Sequence, residues 1–155
     1  MPLTLVSQLP VQYRGELEKI LFFNSRQHES IEGIKKSVEK YGGPRIYEKN
    51  GCLGLCTEKI PDSQYLYALD EMKNPAVLAG MLLFVRDPAN TLEALHIAAA
   101  ESYMASEQSL ESSAAYQLVQ ALIQIGGRLR GVDRVGISCY RSERRYFSVK
   151  DTRVV

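Results

Sequence analysis

The sequence predicts an α+β fold, a mixed and mostly antiparallel sheet flanked by helices, in one domain over residues 1–155. Two observations carry this. From Thr91 to Tyr140 an alanine-rich strand runs through a small-residue loop into one long amphipathic helix and then into a second strand, a βαβ unit with a right-handed crossover. Between Arg45 and Val85 the β-prone runs are instead separated by short turns, which join neighbours antiparallel. Helices precede and follow that block of strands, the order expected of an α+β domain.

Leu3 to Val6 is a short strand-like start. Val11 to Phe23 places Tyr13, Leu17, Ile20 and Leu21 on one stripe and predicts a first helix. Ser30 then precedes Ile31, Ile34, Val38 and Tyr41 at the same spacing, and Gly42-Gly43-Pro44 stops the run, which predicts a second. Asn50-Gly51, between Arg45–Lys49 and Cys52–Cys56, signals a hairpin, because both turn residues tolerate positive φ and both flanks are β-prone. Tyr65–Asp70 and Ala76–Val85 follow as strands around the polar turn Glu71–Pro75, and Arg86–Asn90 turns into the next.

That next strand, Leu92 to Ala100, is bulky at its start and small at its end. Strict alternation puts His96 on a face with Leu92, Ala94 and Ala98, as a core or half-buried residue. The long helix, about Ser112 to Arg130, repeats apolar residues at Ala115, Leu118, Val119, Leu122, Ile123 and Leu129, and Gly131 stands where a C-cap glycine belongs. Gly126-Gly127 lies inside it, where each glycine costs about 1 kcal/mol relative to alanine. A close approach to the sheet, or to a second subunit in a homodimer, rationalises the pair. Val135–Tyr140 reads as the closing strand, and Arg145–Val149 alternates weakly like one more.

At 155 residues the chain buries a sizeable core without a metal or disulfide, and 45% hydrophobic with 24% charged residues is ordinary for a globular domain. A net charge of +1 supplies no broad field for nucleic acid or an anionic membrane, so neither is expected as a partner. No apolar run reaches 18 residues, and Met1–Val6 lacks the pattern of a signal peptide, so a cytoplasmic location is expected. Cys52 and Cys56 have a zinc-permitted spacing but no second ligand pair nearby, and Cys139, His28 and His96 are scattered. No metal site is expected.

A βαβ unit sets the unpaired N–H groups of its helix beside the end of its first strand, which suits an anionic or extended ligand. The same stretch, Gln108 to Ala115, also reads as a plain helix start, with Ser109 or Ser112 as N-cap and Glu107 or Glu111 complementing the dipole. Glu101, at the strand end, is a candidate general base acting through water on an amine, against the alternative of a solvated carboxylate. The basic residues Arg141, Arg144, Arg145, Lys150 and Arg153 read as a solvated chain end, with a place near a phosphate as the alternative.

The element order from Leu3 to Tyr140 resembles the GNAT superfamily of acyl-coenzyme A dependent N-acetyltransferases. Tyr65–Asp70, Ala76–Val85 and Leu92–Ala100 look like that family's second, third and fourth strands, and Gly131–Ile137 looks like the approach to its fifth. The resemblance implies a GNAT-like acyl-CoA N-acyltransferase fold and acetyl-CoA as a substrate. An acetyl group would pass to an amine of a small molecule or peptide. It places the pantetheine arm along Ala98, Ala99 and Ala100 and the pyrophosphate at a loop containing Gln108, Ser112, Ser113, Ala114 and Ala115.

The family's Q/R-x-x-G-x-G/A loop aligns from Gln108, which puts Glu111 and Ser113 at its second and third motif positions, or from Glu111, which puts Ala114 and Tyr116 there. Neither alignment has a glycine. Tyr146 is the nearest counterpart of the family's general-acid tyrosine, although only fifteen residues follow Tyr140. The other reading is a GNAT-fold protein without catalysis, serving as a dimeric binding or regulatory module.

Overall fold

The computed structural model describes residues 3–22, 42–87, 90–103, 113–137 and 145–148. The chain forms β1 (Thr4–Val6), β2 (Leu9–Pro10), a 3-10 helix (Val11–Tyr13) that runs into α1 (Arg14–Phe22), and the hairpin β3 (Pro44–Lys49) and β4 (Cys52–Thr57). Then come β5 (Gln64–Asp70), β6 (Val77–Asp87), β7 (Thr91–Ala99), a 3-10 turn (Glu101–Tyr103), α2 (Ala114–Arg128), β8 (Arg134–Ile137) and β9 (Arg145–Ser148). The larger sheet has the order β1-β5-β6-β7-β8-β9, and β2-β4-β3 form a smaller one. Among the described residues only β7 and β8 run parallel; every other neighbouring pair is antiparallel. The fold is thus α+β with a mixed, mostly antiparallel sheet.

The hairpin forms where Asn50-Gly51 demands it. Both residues take positive φ, 53° and 77°, which only a primed turn requires, and the ladder continues from Lys49↔Cys52 to Pro44↔Thr57. Within it Tyr47 lies opposite Gly54, and a Cβ built at Gly54 would fall on the Tyr47 ring. The glycine is the seat of that ring. Tyr47 in turn meets Tyr65 edge-on at 6.3 Å, and the Tyr67 hydroxyl donates to the Leu53 carbonyl at 3.0 Å, tying the two sheets together.

The large sheet is covered on both faces. On one face α2 packs Leu118, Leu122 and Ile123 against Leu82, Phe84, Leu92, Ala94 and Val135. On the other, Tyr13, Leu17, Ile20 and Leu21 meet Leu78, Met81, Leu83 and Leu95, with Leu9, Leu53 and Leu55 of the small sheet closing the cluster. Burying such side chains, at about 1.5–3 kcal/mol each, holds the layers together.

The structure shifts several boundaries. The first helix, expected from Val11 to Phe23, starts as a 3-10 turn because Pro10 leads it in extended backbone and the Val11 N–H is taken by the Gly51 carbonyl at 3.3 Å. The second, Ser30 to Tyr41, falls outside the described residues, as does Ser138–Tyr140 of the closing strand. The long helix is Ala114–Arg128, shorter than Ser112 to Arg130, and Gly131 is not its cap. Leu129 already turns extended (φ −89°, ψ 134°), its N–H bonded to the Gly126 carbonyl at 3.3 Å. Gly131 instead serves the following turn at φ 84°, where the Arg86 guanidinium donates to the Arg130 carbonyl at 2.6 Å. Of the predicted inward positions, Leu118, Leu122 and Ile123 are buried, while Ala115, Val119 and Leu129 are half-buried.

Two irregularities in the ladder re-aim side chains. Ala68 pairs with Gly80 but Leu69 with Leu78, so Ala79 is an extra residue in β6. Likewise Leu83 pairs with His96 but Phe84 with Ala94, so Leu95 is extra in β7. An extra residue breaks the alternation. Paired residues share a face, so His96 lies with Leu83 on the α1 face, together with Leu95, Ala98 and Ala100. Leu92 and Ala94 face α2. The expected grouping of His96 with Leu92 and Ala94 is therefore corrected.

Candidate functional site

The site is built where the end of β7 meets the start of α2. The two strands of the βαβ unit pair in parallel from Thr91↔Arg134 to Ala94↔Ile137. Ala98, Ala99 and Ala100 lie beyond the last of these pairs. Ala99 faces the α2 side and is buried, whereas Ala98 and Ala100 sit half-buried on the α1 side. Gly80 of β6 fixes the approach of strand and helix. A Cβ there would lie 2.9 Å from the Ala98 carbonyl oxygen, 3.0 Å from the Ala114 Cβ and 3.3 Å from a Leu118 methyl.

At the helix start Ser113 is the N-cap, not Ser109 or Ser112. Its Oγ accepts the Tyr116 N–H at 3.2 Å, and its carbonyl accepts the Gln117 N–H at 3.2 Å. The physical reason is the extended backbone at Ser113 (φ −70°, ψ 149°), which aims the hydroxyl back at the first turn. Ser113 and Ala114 are buried, backbone included, and Ala115 is half-buried. Gln108 and Ser112, like Glu107, Ser109 and Glu111, lie outside the described residues.

Beyond the strand the chain is pinned by hydrogen bonds. The Ala100 N–H donates to the Ala79 carbonyl and the Tyr103 N–H to the Ala100 carbonyl, both at 2.9 Å. The Tyr103 hydroxyl then donates to Asp70 Oδ2 at 2.6 Å, while Asp70 Oδ1 accepts the Met72 N–H at 3.1 Å. Lys73 Nζ stands 5.4 Å from the Tyr103 ring centroid. Burial, and after it the bond to Asp70, raise the Tyr103 phenol above its ordinary range, with Lys73 opposing. Asp70 is buried at the end of β5, so this bond joins the turn carrying Glu101 to the neighbouring hairpin. Glu101 itself is exposed.

The two residues proposed for acid–base work are not brought together. Tyr146 pairs with Gly136, which pairs with Glu93. From Glu93 to Glu101 the chain follows β7 to its end, a span of roughly 20 Å or more at 3.3 Å per residue. Tyr146 thus stands level with the first half of β7 and Glu101 beyond its end. By contrast Ala98, Ala114 and Gly80 do converge, with Ala99, Ala100, Ser113 and Ala115 as their chain neighbours.

One polar group at this strand is read from its pattern only as a core or half-buried residue. His96 is 8% exposed, and its Nε2 has no hydrogen-bond partner among the described residues. Burial lowers its pKa to about 4, so the ring is neutral at pH 7. A mid-strand histidine signalled burial; the missing partner and the face it occupies depend on the bulge at Leu95, which no local residue announces.

Among the described residues no group of three or more His, Cys, Asp or Glu is placed to hold a metal ion. Cys52 and Cys56 are free, half-buried thiols either side of Gly54. Four residues apart on one strand, roughly 13 Å, they are too distant to share a metal. Among the described residues no helix is long and apolar enough to cross a membrane. No protein-family model matches the chain, and neither a curated protein nor a solved structure does.

Proposed function

We propose that the chain is a divergent N-acetyltransferase with a GNAT-like fold, transferring an acetyl group from acetyl-CoA to an amine of a small molecule or peptide in the cytoplasm. The observation that carries the reading is the junction at Gly80, which sets the carbonyl edge of β7 at Ala98 within a few ångström of the start of α2. Small residues from Ala98 to Ala100 let an extended arm approach the strand backbone, and first-turn N–H groups near Ser113 to Ala115 suit a pyrophosphate.

In this reading the neutral amine nitrogen attacks the thioester carbonyl carbon, the C–S bond breaks, coenzyme A leaves as the thiolate, and the proton shed by the nitrogen passes to that thiolate or to water. The protein's part is positioning and polarisation of the carbonyl by backbone groups near Ala98–Ala100.

A second reading has its own support. The Ser113 hydroxyl is already engaged by the Tyr116 N–H, and Glu101 and Tyr146 do not converge. Both features suit a GNAT-fold protein that binds or regulates, as a dimer, without catalysis. A thermal shift with acetyl-CoA and with free coenzyme A tests the first reading, since a ligand of the native state raises the midpoint. A rise, with thiol release when primary amines are added, supports the acetyltransferase. No response at millimolar ligand overturns it.

A further inference from the structure

We infer that a second copy of this chain pairs antiparallel with the open edge of β3, two-fold related about Ile46, so that the small sheets of two molecules join into one. Neither functional reading is needed for this, and the test makes no use of acetyl-CoA.

Sheet edges invite pairing with another chain, and a short edge strand is one protection against it. The large sheet ends on β1 and β9, of three and four residues, and the small sheet ends on one side at β2, of two. β3 is the remaining edge and has six. Its ladder with β4 runs from Pro44↔Thr57 to Lys49↔Cys52 without the register shifts that interrupt β5 with β6 and β6 with β7. No bulge therefore twists this edge away. Among the described residues only β4 pairs with it.

The two-residue turn at Asn50-Gly51 makes Lys49 and Cys52 a hydrogen-bonded pair. Alternation then points the backbone groups of Arg45 and Tyr47 toward β4 and those of Ile46 and Glu48 outward. The same alternation sends Gly51 and Leu53 toward β2, where the Gly51 carbonyl accepts the Val11 N–H and Leu53 pairs with Leu9. Pro44 adds an outward carbonyl and no donor. The donors of the open edge are thus the N–H groups of Ile46 and Glu48.

Two-fold pairing about an axis normal to the sheet keeps paired residues on one face, which leaves few registers. Centred on Ile46, that residue exchanges both backbone bonds with the partner's Ile46, and the Glu48 N–H donates to the partner's Pro44 carbonyl. Every outward donor is then satisfied. On the outer face Arg45 stands opposite the partner's Tyr47, a cation against an aromatic ring. Its ion pair with Glu58, at 3.8 Å between exposed side chains, is weak enough to yield. On the inner face half-buried Ile46, at the margin of the core on the α1 side, gains an apolar neighbour. A centre at Tyr47 would instead oppose Arg45 to the partner's Lys49, and a centre at Arg45 would oppose it to the partner's Arg45. Like charges directly opposite destabilise both. One strand edge buries less than a stable interface does, so the dimer is weak and depends on concentration.

Sedimentation and hydrogen–deuterium exchange of the whole chain, from micromolar to millimolar protein, test this. The Ile46 and Glu48 amides should exchange fast in dilute solution and slowly where the dimer forms, while the Tyr47 amide, in the ladder with β4, stays protected throughout. Glu48 is exposed and its N–H lies outside that ladder, so Glu48→Pro removes a donor of the open edge and leaves the hairpin in place. This variant should stay monomeric where wild type dimerises, and Glu48→Ala, which keeps the N–H, should dimerise as wild type does. Should Glu48→Pro fail to fold, the wild-type exchange pattern decides alone. A chain monomeric at every concentration overturns the inference, as does a dimer that survives in folded Glu48→Pro or leaves Ile46 exchanging fast. Protection of Ile46 in the dilute monomer overturns it too, since the chain's own residues would then occupy the edge.

Discussion

Gly80 touches Ala98 through space that has no room for a side chain: a Cβ at Gly80 would stand 2.9 Å from the Ala98 carbonyl oxygen and 3.0 Å from the Ala114 Cβ. Neither obstacle is the end of a flexible side chain. Gly80→Ala must therefore push α2 away from β7 or distort the ladder, and an overpacked core of this kind costs about 1–3 kcal/mol. Urea unfolding should show that loss. A variant as stable as wild type would mean that helix and strand part without cost, and the junction would no longer be a rigid frame for a ligand.

Leu122 is fully buried between α2 and the sheet. Leu122→Ala should destabilise by roughly 2–5 kcal/mol. A loss below about 0.5 kcal/mol, the range of ordinary surface substitutions, would place that face of the helix in solvent instead.

Much of this architecture is legible in the residues. The spacing of Leu118, Leu122 and Ile123 gives the long helix and its inner face, and Asn50-Gly51 gives the hairpin. What local pattern does not carry is ladder register. The extra residues at Ala79 and Leu95 arise from how three strands fit together, and each resets alternation for everything beyond it. The face of His96 was lost for that reason. The helix start was misplaced for a related one: four serines between Ser106 and Ser113 each suit an N-cap, and packing of Ala114 against Gly80 decides among them.

Tyr103 and Asp70 offer a local test of the turn that carries Glu101. Tyr103→Phe removes the 2.6 Å bond to a buried carboxylate and should cost about 1.5–3 kcal/mol, the range for hydrogen bonds to charged groups. If stability is unchanged, the turn is not held by this bond.

The buried histidine sets a pH dependence. Its folded pKa lies near 4, below the unfolded 6.5, so the unfolded chain binds more protons between these values. The stability from keeping His96 neutral is therefore complete above pH 6.5 and is lost as pH falls toward 4, reaching about 2 kcal/mol by pH 5. Urea midpoints at pH 7.5 and 5 should differ accordingly in wild type and much less in His96→Leu. Equal slopes in the two proteins would assign the pH dependence to other groups.

The helix start separates the two functional readings with one pair of substitutions. Ser113 caps α2 by accepting the Tyr116 N–H, and aspartate and asparagine are equally good at that task. Ser113→Asp adds a charge beside the positive end of the helix dipole, which favours folding, while the burial of Ser113 opposes it through desolvation. Ser113→Asn keeps the shape and the acceptor without the charge. If coenzyme A lays its pyrophosphate on the N–H groups from Ser113 to Ala115, the carboxylate repels it at short range, and calorimetry should show affinity falling about tenfold or more in Ser113→Asp. Ser113→Asn should bind as wild type does. Measuring stability of both variants beside affinity keeps a folding defect from passing as a binding one. Equal affinities in all three proteins would place the pyrophosphate elsewhere, and the junction of β7 and α2 would then be framework alone.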